Sequence, residues 1–161
     1  MLKLDDFLSL KGSKIHNRVC FRRTNITGVS IDSRTIKKSE AFFAIKGEST
    51  DGHKFLEQIV SKGVGLIVIS SRKKASVSKL LKKTCYVTVP DTILALGELA
   101  RSHKRKFDTP VLCIGGSNGK TTTKDLVSSV LSLKYNVLKT EGNFNNHIGL
   151  PLTLLRMNSK H

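Results

Sequence analysis

The sequence of 161 residues has no apolar run long enough to span a lipid bilayer. At its start, Asp5 and Asp6 stand where a secretory signal peptide carries basic and then apolar residues, so we expect a cytoplasmic location. It also lacks internal repeats and low-complexity stretches. With 39% apolar and 25% charged residues, the composition is typical of a globular protein.

Cysteine is scarce, and its three positions, Cys20, Cys85 and Cys113, lie far apart with no metal-binding spacing. Cys85 and Cys113 each lie within an apolar run, so we expect both to be reduced residues of the core. Neither a catalytic nor a metal-binding role is predicted for any of the three.

Acidic residues are few, with 12 Asp and Glu against 28 Lys and Arg, and the net charge is +16. Such a charge suits a polyanionic partner, which includes nucleic acid, an anionic membrane surface and phosphorylated small molecules. No aromatic residues alternate with the basic ones, as a stacking surface for bases would require, so a basic solvated surface is favoured over a nucleic-acid site. The basic residues form small clusters at 22–23, 72–74, 82–83 and 104–106.

Signals for strands and helices alternate along the chain, which predicts an α/β fold with parallel strands. Strands are predicted at 28–31, 41–45, 64–69, 85–89, 111–114 and 135–139. Helices are predicted at 53–62, from Asp91 or Thr92 to the basic turn at 104–106, and along the apolar stripe Leu126, Val127, Val130 and Leu131. The break at Pro90-Asp91 predicts a boundary between a small α/β domain, 1–89, and the start of a second, P-loop-type parallel α/β domain, 90–161.

The strongest chemical signal lies where the predicted strand 111–114 turns into a helix. The loop reads Gly116, Ser117, Asn118, Gly119, Lys120, Thr121 and Thr122. Glycines allow several backbone N–H groups to point into one concavity, and the helix start adds its unpaired N–H groups and positive dipole end. Lys120 offers a charge for the outer phosphates of a nucleoside triphosphate, and the Thr121 hydroxyl a ligand for Mg²⁺.

The loop departs from the standard phosphate-binding spacing, because Ile114 stands where the first glycine is expected. Only the shorter Gly-x-x-Gly-Lys-Thr pattern matches. The alternative is a glycine-rich turn that merely connects a strand to a helix. The apolar segment before the loop and the amphipathic stretch after it favour phosphate binding.

With this short loop, the chain resembles the Mur ligases, which are ATP-dependent enzymes that add amino acids or dipeptides to the UDP-linked precursor of peptidoglycan. Gly115 replaces the threonine with which the family's loop usually begins. Segments 32–34, 41–47 and 51–55 resemble the family's N-terminal, uridine-binding domain. Segment 140–155 resembles the branch that joins D-Ala-D-Ala to UDP-MurNAc-tripeptide.

The resemblance implies roles for individual residues. Gly116 to Thr122 would bind the phosphates of ATP, with Lys120 catalytic and Thr121 on Mg²⁺. The residues that would contact the UDP-linked substrate or line the gap between it and ATP are Ser33, Glu48, Ser49, Thr50, Asn143, Asn145 and Asn146. Purely structural alternatives exist, since Ser33 suits a turn, Asp51-Gly52 is an ordinary turn signal, and Asn145-Asn146 suits a helix cap.

The implied reaction proceeds through an acyl phosphate, with ATP, UDP-MurNAc-tripeptide and D-Ala-D-Ala as small-molecule substrates. No nucleic acid, no membrane insertion and a monomeric state are expected. Asp125 and Glu141 are the only acids after Lys120, so carboxylates for a second Mg²⁺ or for a base are scarce. We therefore expect this chain to match the first part of such a ligase, with a central domain that is truncated, and not to complete ligation alone.

Other interpretations stay open at this point. The chain could belong to another Mur-type ligase, such as one that adds diaminopimelate or lysine, or to a relative of folylpolyglutamate synthetase. It could also be an inactive remnant or, on its charge alone, a basic nucleic-acid-binding module. A half-built central sheet would expose an apolar edge and face, which predicts marginal stability in that half.

Overall fold

The computed structural model describes residues 1–21, 25–142 and 144–161. The α-helices are α1 (Leu4–Leu8), α2 (Leu56–Ser61), α3 (Lys74–Val77), α4 (Thr92–Lys104), α5 (Lys120–Leu131) and α6 (Gly149–Leu154). The strands are β1 (Lys14–His16), β2 (Gly28–Ser30), β3 (Glu40–Phe43), β4 (Leu66–Ser70) and β5 (Tyr86–Val89). Short 3-10 helices occupy Arg18–Cys20, Gly52–Phe55 and Ser71–Lys73. Arg22 and Arg23, one of the predicted basic clusters, lie outside the described residues.

The strands form one five-stranded sheet in the order β1-β5-β4-β3-β2. Strands β2 to β5 pair in parallel, while β1 lies antiparallel to β5 at the edge. The centre of the sheet is apolar on both faces, as expected for parallel strands covered by helices on each side. The α/β fold with parallel strands predicted from the sequence is thus confirmed for this half of the chain.

Alternation along the strands sends neighbouring side chains to opposite faces of the sheet. Phe43 and Val68 face helices α1 and α4, whose buried residues include Phe7, Leu96 and Leu99. Phe42 and Ile67 face helices α2 and α3, with Leu56, Ile59 and Val77. Asp91 begins α4 as predicted, because its carboxylate accepts hydrogen bonds from the N–H groups of Ile93 and Leu94. Helix α4 therefore completes the core of the sheet, and the domain boundary at residue 90 stays a prediction.

The strands predicted at 111–114 and 135–139 are not formed. A strand is held by hydrogen bonds to a neighbour, and within the described ranges neither segment has one. Val111 and Leu112 are exposed as a result, and so is most of the apolar stripe of α5. Cys113, expected in the core, is exposed for the same reason. Cys85, the residue directly before β5, is buried as expected.

Helix α6 packs against α4 and brings Leu155 and Met157 into buried positions. None of the helices in the described ranges combines the length and apolar character that crossing a membrane requires.

Candidate functional site

The loop before α5 adopts backbone angles that its glycines make possible. Gly119 precedes the first residue of α5 with a φ of 77°, and Gly116 has a φ of 142°. Both values lie in the region that side chains with a Cβ avoid, so these two glycines are required by the backbone. Gly115 has open space around the place of a Cβ, which is consistent with a threonine at that position in the family pattern.

Lys120 closes the loop on itself. Its Nζ donates hydrogen bonds to the backbone carbonyl oxygens of Gly116 and Ser117, the latter at 3.0 Å. Thr121 and Thr122 follow on the exposed first turn of α5. An ammonium group held by two carbonyl oxygens at a helix start can exchange them for phosphate oxygens, and phosphate binding by this loop stays a prediction.

The two carboxylates after Lys120 are both engaged by cations. Asp125 accepts a hydrogen bond from Lys139 at 2.8 Å and has Lys124 at 3.7 Å. The hydrogen bond from Lys139 is the main reason that the pKa of Asp125 lies below its usual value. Glu141 pairs with Arg156 at 2.7 Å.

The beginning of α5 is tied to the segment that leads to the asparagines. Lys124 Nζ donates to the carbonyl oxygen of Thr140 at 2.9 Å. Further along, Asn146 Oδ1 accepts from the N–H groups of Ile148 at 3.0 Å and Gly149 at 2.8 Å. Asn146 thus caps α6, as its structural alternative predicted. Asn145 is exposed, and Asn143 lies outside the described residues.

Ser33 lies in the turn that follows β2 and is only 6% exposed. The turn is held from two directions. Asp32 accepts a hydrogen bond from the N–H of Arg34 and forms an ion pair with its guanidinium at 2.7 Å, and these contacts lower the pKa of Asp32 to about 2. Lys62 Nζ, at the end of α2, donates to the carbonyl oxygens of Ser33 and Arg34, each at 2.7 Å.

The exposed turn Glu48, Ser49 and Thr50 follows β3 and is closed by a hydrogen bond from Gly47 N–H to the carbonyl oxygen of Thr50 at 2.8 Å. Asp51 follows directly after this turn. Its carboxylate accepts hydrogen bonds from the N–H of His53 at 3.0 Å and from His53 Nδ1 at 2.6 Å.

His53 Nε2 in turn accepts from the N–H of Ser70 at 3.1 Å. Because Nε2 accepts a hydrogen bond, the ring proton lies on Nδ1, and His53 links Asp51 to the end of β4. The sequence indicated a turn at Asp51-Gly52 and a family resemblance over 51–55, but the contacts of His53 and Lys62 have no local signal.

Two of the predicted substrate segments follow neighbouring strands of the sheet. Ser33 follows β2 and the turn 48–50 follows β3, and these strands are parallel neighbours. Carboxyl ends of adjacent parallel strands form the usual ligand-binding edge of an α/β sheet. Ser33 and Glu48 to Thr50 therefore share an edge, whereas the loop at 116–122 belongs to a different part of the chain.

Comparison with known proteins identifies the family of the chain. The family profile described as "Mur ligase family, catalytic domain" matches residues 25–104, and the profile described as "Mur ligase middle domain" matches residues 114–161. The UDP-N-acetylmuramoyl-tripeptide–D-alanyl-D-alanine ligase of Bacillus subtilis is 43% identical over 137 residues, which are 85% of this chain and 29% of that protein. The enzyme of the same name from Escherichia coli is 35% identical over 136 residues, or 84% of this chain and 28% of that protein.

Solved structures give the same result. MurF from Acinetobacter baumannii superposes with a TM-score of 0.81 at 29% identity, covering 99% of this chain and 34% of that one. MurF ligase from Thermotoga maritima, solved in complex with ADP, superposes with a TM-score of 0.66 at 28% identity, covering 90% and 31%. This chain spans less than a third of the length of the first curated relatives it matches. With two profiles of one family along most of its length, relatives of one kind and a shared fold, the chain belongs to the Mur ligase family.

Proposed function

We propose that this chain provides the nucleotide-phosphate site and the UDP-binding region of an ATP-dependent ligase that adds D-Ala-D-Ala to UDP-MurNAc-tripeptide. The observation that carries the proposal is the geometry of the loop 116–120. Gly119 is left-handed, and the Lys120 ammonium donates to the carbonyl oxygens of Gly116 and Ser117. The names of the relatives support the dipeptide-adding reaction over that of other Mur-type ligases.

In this proposal, Gly116, Ser117, Asn118 and Gly119 direct backbone N–H groups at the phosphates of ATP, and Thr122 adds a hydroxyl. Lys120 leaves the two carbonyl oxygens that hold it and pairs with the outer phosphates. Thr121 supplies one oxygen ligand to Mg²⁺, which fits an exposed hydroxyl directly after that lysine. Mg²⁺ usually keeps several waters and takes phosphate oxygens, so a single protein ligand from this loop suffices.

The reaction begins when a carboxylate of the tripeptide attacks the γ-phosphorus of ATP, which releases ADP and forms an acyl phosphate. The amine of D-Ala-D-Ala then attacks the acyl carbon and releases phosphate. Phosphoryl transfer depends on positioning and on neutralising charge, and Lys120 does both at the transferred group. We assign no base to Asp125 or Glu141, because both are paired with cations.

The UDP part of the substrate is assigned to the sheet edge that carries Ser33 and the turn Glu48 to Thr50. Asn143, Asn145 and Asn146 are assigned to the space between the UDP-sugar and ATP, and Asn146 combines this with its cap on α6. The proposal includes a cytoplasmic location and a monomeric state, and its partners are small molecules.

The test is a calorimetric titration of the purified chain with ATP in the presence of Mg²⁺, which measures the affinity for ATP. Lys120→Ala should weaken binding by about tenfold or more, because it removes a charged contact to the phosphates. Lys134→Ala is the matched control, since this exposed lysine lies beyond the end of α5. Equal affinity of the two variants for ATP would refute the proposal.

A further inference from the structure

A basic surface lies at the end of the sheet where β5 begins. The region proposed for the UDP substrate lies at the opposite end, where β2 and β3 finish. The basic surface combines the 3-10 helix Arg18–Cys20, which follows β1, with the turns at 78–84 that precede β5. Because β1 runs antiparallel to β5, the end of β1 and the start of β5 meet at this end of the sheet. Neither segment has a role in the ligase proposed above.

Asn17 joins the two segments. Its side-chain amide donates to the carbonyl oxygens of Leu81 at 2.8 Å and Thr84 at 3.1 Å. Its own backbone is left-handed, with a φ of 54°, and its carbonyl oxygen accepts from the N–H of Cys20 at 2.8 Å. These bonds hold the 3-10 helix against the turns, so that the side chains of both form one surface.

The cations of this surface have no local acids to neutralise them. No aspartate or glutamate occurs in residues 7–31 or 58–90. Four cations of this surface are exposed, namely Arg18, Lys79, Lys82 and Lys83. Within the part of the chain that the structure describes, none of them forms an ion pair with a carboxylate.

Two apolar side chains project among these cations. Val19 is 90% exposed and Leu80 is 38% exposed. Exposed aliphatic groups surrounded by lysine and arginine are suited to the boundary between lipid headgroups and acyl chains. Base stacking would instead need an exposed aromatic ring, and Tyr86 at this end of the sheet is buried beneath His16, with ring centroids 4.6 Å apart.

We propose that Arg18, Val19, Lys79, Leu80, Lys82 and Lys83 form a docking surface for an anionic phospholipid membrane. The cations attract the negative headgroups, and the two aliphatic side chains enter the headgroup boundary without crossing the bilayer. The surface shares no residue with the substrate edge or with the loop at 116–122. This inference does not depend on the proposed ligase reaction.

The experiment is co-sedimentation of the chain with vesicles of phosphatidylcholine alone and of equimolar phosphatidylcholine and phosphatidylglycerol. Only the mixed vesicles should bind, and binding should weaken as salt is raised. The triple variant Lys79→Gln, Lys82→Gln, Lys83→Gln should bind about 100-fold more weakly, since each cation near an anionic surface contributes roughly a fivefold gain.

The matched control is Lys11→Gln, Arg101→Gln, Arg105→Gln. It removes the same charge from three exposed residues around a cleft beside α4, on the opposite face of the sheet from α3. These positions line a different cleft and include none of the docking residues, so the loss should stay below about threefold. An equal loss in both triple variants, or equal binding to pure phosphatidylcholine, would overturn the proposal.

The apolar part is tested with Val19→Ser, whose side chain is too exposed to affect folding, and with Val19→Ser, Leu80→Ser. Both should bind the mixed vesicles less well, the double variant by about tenfold, while the thermal midpoint of the single variant stays unchanged. A DNA oligonucleotide at the same salt is the competing ligand. If the chain binds DNA more tightly than the mixed vesicles, and the serine variants bind DNA as well as wild type, the membrane assignment would be overturned in favour of nucleic acid.

Discussion

The imidazole of His103 on α4 donates a hydrogen bond from Nε2 to the backbone carbonyl oxygen of Met157, 2.9 Å away. The bond joins the segment that matches the first family profile to the segment that matches the second. Because Nε2 carries the hydrogen, Nδ1 is unprotonated, and it is buried without a hydrogen-bond partner within the described residues. The ring is 3% exposed, and this burial lowers the pKa of His103 from 6.5, with Lys106 and the N-terminal amine acting in the same direction.

The lowered pKa predicts a loss of stability in mild acid. Below pH 6.5 the unfolded chain protonates this histidine, whereas the folded chain resists, so the stability that His103 contributes is complete above pH 6.5 and decreases as the pH falls. The melting temperature should therefore fall as the pH is lowered from about 7 to about 5. His103→Gln, whose amide can still reach Met157 but cannot titrate, should flatten this dependence.

His16, whose pKa burial also lowers, accounts for a further part of the slope, and His16→Asn isolates it. The pKa values of Asp6 and Asp32 lie below 3.8, so these carboxylates do not titrate in this interval. A pH dependence of the melting temperature that is identical in wild type and His103→Gln would contradict the prediction.

Lys62→Met should loosen the turn at 32–34. The substitution removes two charge-assisted hydrogen bonds, to Ser33 and Arg34, and we expect a loss of about 1–3 kcal/mol in the free energy of unfolding. If Ser33 contacts the UDP part of the substrate, affinity for UDP-MurNAc-tripeptide should fall together with stability. Lys54→Met is the control, because Lys54 is an exposed lysine on the neighbouring 3-10 helix. Equal substrate affinity in both variants would argue against Ser33 as a contact.

Gly52→Ala should destabilise the protein, whereas Gly97→Ala should not. A Cβ at Gly52 would lie 2.9 Å from both the backbone nitrogen and the backbone oxygen of Ile45, so β3 or the turn would have to shift. We expect a cost of about 1–3 kcal/mol by chemical denaturation. Gly97 lies in α4 with open space around it, and alanine there should add about 0.5–1 kcal/mol. A neutral Gly52→Ala would show that this close approach is easily relaxed.

Local patterns predicted the elements whose signals lie within a few residues. The apolar run at 64–69 overlaps β4 (Leu66–Ser70), and Asp91 caps α4, because an apolar strand and a helix cap both have signals in short stretches. The edge strand Lys14–His16 was not predicted, since three residues are too few to establish an alternating pattern. The segment at 111–114 has the composition of a strand but pairs with none of the described residues, and pairing is a long-range property.

The candidate site shows the same division. The glycines of the loop predicted backbone angles that other residues avoid, and Gly119 adopts a left-handed one. The support of Ser33 by Lys62 crosses 29 positions of sequence, and the tie between His103 and Met157 crosses 54. No periodicity or spacing reports such contacts, because they depend on which helix covers which face of the sheet.

Asn146 allows a structural role to be separated from a ligand-binding role. Its Oδ1 accepts two backbone N–H groups at the start of α6, so Asn146→Ala should cost about 0.5–2 kcal/mol of stability. Asn146→Asp keeps the accepting oxygen and places a negative charge at the helix start, so its thermal midpoint should equal or exceed that of wild type.

The two substitutions differ at the proposed ligand. If Nδ2 of Asn146 donates to the UDP-sugar or to a phosphate, Asn146→Asp should lower affinity for UDP-MurNAc-tripeptide by about tenfold in a calorimetric titration, because an amide donor becomes a carboxylate. Asn136→Asp, at an exposed position between α5 and this segment, controls for the added negative charge. Wild-type affinity in Asn146→Asp, with lower stability in Asn146→Ala, would assign this residue to the cap of α6 alone.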